Sequence, residues 1–128
     1  MTTRIAVVDD ETIVCSRLSR ALGKDGATVE AFTEGGTFLA RHAEVPFDLV
    51  FLDVNLPDGD GIAHIPAIKA ASPATEVIVV TGYGSIESAI AAVKAGAFHY
   101  VQKPVKLAEV RHLARSALER AALRRENR

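Results

Sequence analysis

The chain has 128 residues, 48% hydrophobic and 24% charged, with a formal net charge of −1. That length and balance describe one ordinary globular domain and exclude a chain-wide basic surface for nucleic acid or anionic membrane. A single cysteine, Cys15, excludes an intrachain disulfide. No apolar run nears the roughly 18 residues of a membrane span, and no signal-like start is visible, so a soluble protein of the reducing cytoplasm is expected.

Strand-like and helix-like segments alternate five times along the chain. Arg4 to Val8 is the first strand. From Glu11 to about Lys24, Val14, Leu18, Ala21 and Leu22 recur at helical spacing, and Lys24-Asp25-Gly26 ends that helix. Ala27 to Phe32 alternates as an edge strand does. A short helix is expected from about Glu34 to His42, its start weakened by Gly35 and Gly36. Asp48 to Leu52 is the third strand. Asn55 to Gly61 is dense in turn residues. Ile62, Ile65 and Ile68 mark the next helix, in which Pro66 must lie near the first turn or bend the chain. Ser72-Pro73 stops it, and Glu76 to Val80 is the fourth strand. Ser85 reads as a helix cap; Ile86, Ala89, Ile90 and Val93 then form one face, and Gly96 closes the helix. Phe98 to Val101 is the last strand. From about Lys106 the chain is helical to its end, with Leu107, Val110, Ala114, Ala117 and Ala121 at three-four spacing.

This alternation implies right-handed crossovers and an α/β fold, a five-stranded parallel sheet with helices on both faces. The continuous apolar runs Ile5–Val8 and Leu49–Leu52 suit strands covered on both sides. Asp9 and Asp10 follow the first run, and Asp53 follows the second. If those strands are neighbours, three carboxylates converge at the carboxyl ends, where such sheets bind ligands. They repel unless a cation joins them. Thr81 ends the fourth strand, and Lys103-Pro104 follows the fifth. A hydroxyl and an ammonium beside carboxylates and a metal suit a phosphoryl ligand, and Mg2+ suits a site of few carboxylates and several waters.

The set Asp9-Asp10, Asp53, Thr81 and Lys103-Pro104, with Asp53-Val-Asn-Leu-Pro57 and Gly61, resembles the receiver domain of two-component response regulators. The resemblance covers essentially the whole chain. It implies the flavodoxin-like strand order 2-1-3-4-5 and a phosphoryl group accepted on Asp53 from a histidine kinase or phosphotransfer protein. It makes Asp10 a direct Mg2+ ligand, Asp9 a ligand partly through water, and Asp53 and the Asn55 backbone carbonyl the others. It gives Thr81 and Lys103 the phosphoryl oxygens, makes Thr81 and Tyr100 the switch pair, and makes the Lys103–Pro104 bond cis. It implies no enzyme beyond self-phosphorylation and slow dephosphorylation.

Alternative readings stand beside this one. A lone aspartate after a strand is usually a turn residue or cap, and Asp10 or Glu11 could cap the first helix. A calcium loop fails because Pro57 takes a ligand position and no glutamate closes it. Haloacid-dehalogenase-type phosphatases need Asp-x-Asp after their first strand, whereas here Asp9-Asp10-Glu11 stands there and the third run reads Asp53-Val-Asn55. His42, His64, His99 and His112 lack ligand spacing and read as surface or boundary residues. Arg120, Arg124, Arg125 and Arg128 read as a solvated helix end.

The stretch Thr81 to Ala89, then Lys94-Ala95-Gly96-Ala97, resembles receivers of nitrogen-regulatory proteins, which activate the nitrogen-type sigma factor. That places a receiver at 1–117 and makes 118–128 the extended last helix, leading into a linker to an ATPase and DNA-binding output domain. A stand-alone receiver acting on a partner protein is the alternative. Val105 replaces the usual aromatic after Lys-Pro, and His99 a common acidic residue. The last helix is long, so its end is expected to project, exposing Leu118, Ala121 and Ala122. A homodimer through the fourth helix, last strand and last helix is expected, with no direct contact to nucleic acid or membrane.

Overall fold

The computed structural model describes residues 2–82 and 86–126. The expected cap at Ser85, Tyr83 beside the site and Arg128 lie outside the described residues.

The strands are β1 (Arg4–Val8), β2 (Thr28–Phe32), β3 (Leu49–Asp53), β4 (Glu76–Thr81) and β5 (His99–Gln102). The helices are α1 (Thr12–Gly23), α2 (Gly35–Glu44), α3 (Ile65–Ala71), α4 (Ile86–Ala95) and α5 (Leu107–Glu126). All neighbouring strand pairs are parallel, in the order β2-β1-β3-β4-β5. This is the expected order, and it puts β1 and β3 side by side at the centre.

Strand alternation divides the core. Ile5, Val7, Leu49, Phe51, Ile78 and Val80 face one side, where α1 and α5 cover them. Ala6, Val8, Val50, Leu52, Val77 and Val79 face the other, against α2, α3 and α4. Each fully buried Leu or Ile contributes about 1.5–3 kcal/mol relative to an exposed one, so both faces drive folding. β3 and β4 each run one residue further than expected, ending on Asp53 and Thr81 themselves, and β5 is shifted one residue on. Pro66 lies in the first turn of α3, where its missing N–H costs nothing. The turn-rich loop is more ordered than expected: Asn55–Leu56 pairs antiparallel with Gly59–Asp60, and a 3-10 turn, Gly61–His64, leads into α3.

Expectations about His42 and the end of α5 are corrected. His42 is not a surface residue but fully buried. Its ring packs against both Phe38 and Phe47, Nδ1 accepts from the Phe47 N–H at 3.1 Å, and Nε2 lies 3.1 Å from the Ile68 carbonyl. Only the neutral tautomer protonated at Nε2 satisfies both bonds. On α4, Ile86, Ile90 and Val93 share an outward side, 73%, 50% and 56% exposed, whereas Ala89 leaves that expected face to meet the core with Ala92. The end of α5 does not project freely, since Ala121 is buried and Leu118 packs on the core. Nor are its arginines simply solvated. Arg120 Nε lies 3.0 Å and Arg124 Nη1 3.5 Å from the buried Glu76 carboxylate, which Lys69 also meets at 3.1 Å. Arg125 pairs with Asp48.

Candidate functional site

The carboxyl ends of β1 and β3 meet at one crevice because the strands are adjacent and in register, Val8 beside Leu52. Asp9 follows β1 and Asp53 ends β3; both are buried, while Asp10 is exposed. Carboxylate oxygens of Asp9, Asp10 and Asp53 all lie within 4.8 Å of one another. Asp9 is fixed by its own backbone, whose N–H donates to the Phe32 carbonyl at 2.9 Å. Its Oδ1 accepts from the Glu11 N–H at 2.9 Å, so Asp9, rather than Asp10 or Glu11, makes the side-chain bond at the start of α1.

Lys103 reaches in from beyond β5, its N–H donating to the Thr81 carbonyl at 2.8 Å. Its Nζ lies 3.3 Å from Asp53 Oδ2, 3.2 Å from Asp9 Oδ2 and 3.4 Å from Glu11 Oε1. The Lys103–Pro104 bond is cis. Thr81 ends β4, buried, with Oγ1 3.5 Å from the Val101 carbonyl, a long and weak bond that leaves the hydroxyl free to turn. Tyr100 is 38% exposed on β5.

Charge is unbalanced here. Four carboxylates, counting Glu11, share one ammonium. Burial, then the neighbouring Asp9, push the Asp53 carboxyl up to about 6, against the pull of the Asn55 N–H at 3.2 Å and of Lys103. Burial pulls the Lys103 ammonium down, but Asp53, Asp9 and Glu11 outweigh it and hold it above the usual lysine range. Asp9 Oδ2 is buried and makes no hydrogen bond of good geometry, despite the nearby Lys103. Clustered hard oxygen donors, one of them unsatisfied, fit a hard divalent cation.

Two neighbours escaped the sequence reading. Cys15 Sγ, buried, lies 3.2 Å from the Asp9 carbonyl, and nothing local distinguishes it from a core residue. Asp58 reads in the sequence only as a turn residue of Pro57-Asp58-Gly59 or as part of the rejected calcium loop. Gly61 has a sharper reason than turn chemistry. Its N–H donates to the Val54 carbonyl at 2.7 Å, and a Cβ there would overlap the Asp53 carbonyl oxygen.

The crevice therefore joins a buried carboxylate, two further carboxylates and a lysine, with the Thr81 hydroxyl at the end of the next strand. The profile of the response regulator receiver domain matches residues 5–115. The chain belongs to the response regulator receiver domain family. It is 40% identical over 115 residues to the response regulator protein PilR of Pseudomonas aeruginosa, covering 88% of this chain and 25% of that protein. The receiver domain of NtrX from Brucella abortus superposes with a TM-score of 0.84 at 32% identity, covering 90% of this chain and 98% of that one. The beryllofluoride-activated NtrC4 receiver domain dimer gives 0.87 at 36%, covering 92% and 98%. The chain spans about a quarter of the length of the first curated relatives it matches. The curated relatives also include the DNA-binding transcriptional regulator NtrC of Salmonella typhimurium, 34% identical over 112 residues. No helix among the described residues is long and apolar enough to cross a membrane.

Proposed function

We propose that Asp53 accepts a phosphoryl group from a histidine kinase or phosphotransfer protein in the cytoplasm, and that its state controls transcription through an output domain. The observation that carries this is the meeting of buried Asp53 with Asp9, Asp10 and the Lys103 ammonium at the ends of adjacent strands. A carboxyl at about 6 is mostly ionised at neutral pH, so Asp53 is a competent nucleophile. One of its oxygens attacks the phosphorus of a phosphohistidine; the new P–O bond forms as the P–N bond breaks, and the imidazole leaves with the electron pair.

Asp10 directly, Asp9 partly through water, Asp53 and the Asn55 backbone carbonyl are the groups that would hold Mg2+. Bound there, the ion supplies positive charge for the carboxylates and the phosphoryl oxygens. Lys103 Nζ, already 3.3 Å from Asp53, takes a second oxygen. Thr81 takes the third by releasing its weak bond to Val101, and Tyr100 turns inward into the space it leaves. The phosphoryl group shifts this equilibrium only by binding one arrangement better than the other.

The patch Ile86, Ile90, Val93 and Tyr100 is the surface that changes, and it is apolar and exposed. A homodimer through α4, β5 and α5 would cover it, a reading supported by the dimer of the activated NtrC4 receiver. Similarity to the DNA-binding transcriptional regulator NtrC, and to NtrX from Brucella abortus in complex with ATP, supports an ATPase and DNA-binding output domain reached through 118–128. Acetyl phosphate with Mg2+ should add one acid-labile phosphoryl group, detected by intact-mass spectrometry. Asp53→Asn should abolish it; the same adduct on that variant sinks the assignment.

A further inference from the structure

α2 begins without a cap of its own, since Glu34 makes no side-chain bond to it. Its first N–H groups are taken by a residue far along the chain. Gly35 N–H donates to Asp58 Oδ1 at 3.0 Å, and Gly36 N–H to Asp58 Oδ2 at 2.8 Å. The two bonds hold the Asp58 carboxyl below its usual range. A second tie lies beside them: the His64 ring rests so closely on Gly35 that a Cβ there would overlap it.

Asp58 sits in the turn of the small ribbon, between Asn55–Leu56 and Gly59–Asp60. A ribbon of two-residue strands cannot hold itself in water. It is fastened near Asp53 by the Asn55 N–H on Asp53 Oδ1, in the core by buried Leu56, and at its tip by Asp58 on α2. Between those fastenings lies the backbone carbonyl of Asn55.

We infer that Asp58 is a positioning residue: by capping α2 from the ribbon tip, it steadies the segment that carries the Asn55 backbone carbonyl, a proposed Mg2+ ligand beside the acidic cluster. This rests on reading that cluster as a Mg2+ site. A carboxylate suits the task because each oxygen takes one N–H and its charge complements the helix N-terminus. An amide offers one acceptor only.

The test is Mg2+ binding by calorimetry on the whole chain, with thermal midpoints and metal-free amide exchange measured in parallel. Asp58→Ala should weaken Mg2+ by about tenfold, the scale of outer-shell support, and Asp58→Asn by less. Exchange at Asn55 and Leu56 should quicken without metal. Gly36→Ala, which favours the helix and whose Cβ meets only ordinary contact, added to Asp58→Ala should restore the midpoint but not the affinity. Wild-type affinity in Asp58→Ala, or affinity that returns with the midpoint, overturns the inference. A wild-type chain that binds no Mg2+ overturns the site reading first, and this inference with it.

Discussion

Asp53→Asn replaces the buried carboxylate with a neutral group of the same shape, in a cluster where four carboxylates share one ammonium. The folded protein holds the Asp53 carboxyl at about 6, against 3.8 ordinarily, through burial and then the Asp9 charge. At 1.36 kcal/mol per pKa unit, that difference amounts to about 3 kcal/mol. Its sign is destabilising for the charged form. Between 3.8 and about 6 the folded chain binds the proton more tightly than the unfolded one, so rising pH erodes stability across that window and the loss persists above it. The asparagine variant escapes this loss. In EDTA at pH 8 it should be more stable than the wild type by up to about 3 kcal/mol, seen in urea as a midpoint raised by about 1–2 M at unchanged slope. Below pH 4 the two curves should converge, and Mg2+ should narrow the gap at pH 8 by stabilising the wild type. A variant less stable than the wild type at pH 8 without metal would refute the reasoning, because Lys103 would then outweigh burial and repulsion together.

His42 works in the opposite direction. Its pKa is lowered first by burial, so in an Asp53→Asn background stability should fall as pH drops below about 6.5, by at most about 1.4 kcal/mol per pH unit, until the folded value is passed. His42→Gln should remove that slope, and an unchanged slope would mean that another group carries it. Arg120→Ala with Arg124→Ala leaves the buried Glu76 with Lys69 as its partner and should cost about 1 kcal/mol, discounted because both arginines are 41–51% exposed. Amide exchange over residues 118–126 should quicken; unaltered protection there would show that packing of Ala121 holds the helix end alone. Gly61→Ala drives a methyl into the Asp53 carbonyl and should cost about 1–3 kcal/mol. Phosphoryl uptake should fall while far-UV circular dichroism stays native, and full uptake would show that the β3 end tolerates displacement.

Much of the site was legible because buried parallel strands must be apolar throughout, so the first polar residue after each run marks a strand end. Asp9, Asp53 and Thr81 are such residues, and the fold places all three at one edge of the sheet. What was hidden depends on contacts between distant segments. His42 has the helical position of a boundary residue; only Phe38, Phe47 and the Ile68 carbonyl, brought together by the fold, make it a core residue. Asp58 looks like any turn aspartate until α2 is laid beside it. The arginines near the end of α5 have the spacing of a solvated face, and Glu76 opens a buried strand, so their pairing needed the register of helix on sheet. Helical periodicity located the apolar face of α4 but not its direction, because Ala89 and Ala92 suffice for the core and leave the larger residues outside.

The central claim is that Asp53 is the phosphoacceptor, and borohydride trapping tests it most directly. Reduction of an aspartyl phosphate leaves homoserine at the modified position, which peptide mass spectrometry locates. After phosphorylation with acetyl phosphate and Mg2+, homoserine should appear at position 53 and at neither 9 nor 10. Homoserine at position 9 or 10, or none at position 53 in a chain that has taken up phosphoryl groups, would contradict the account.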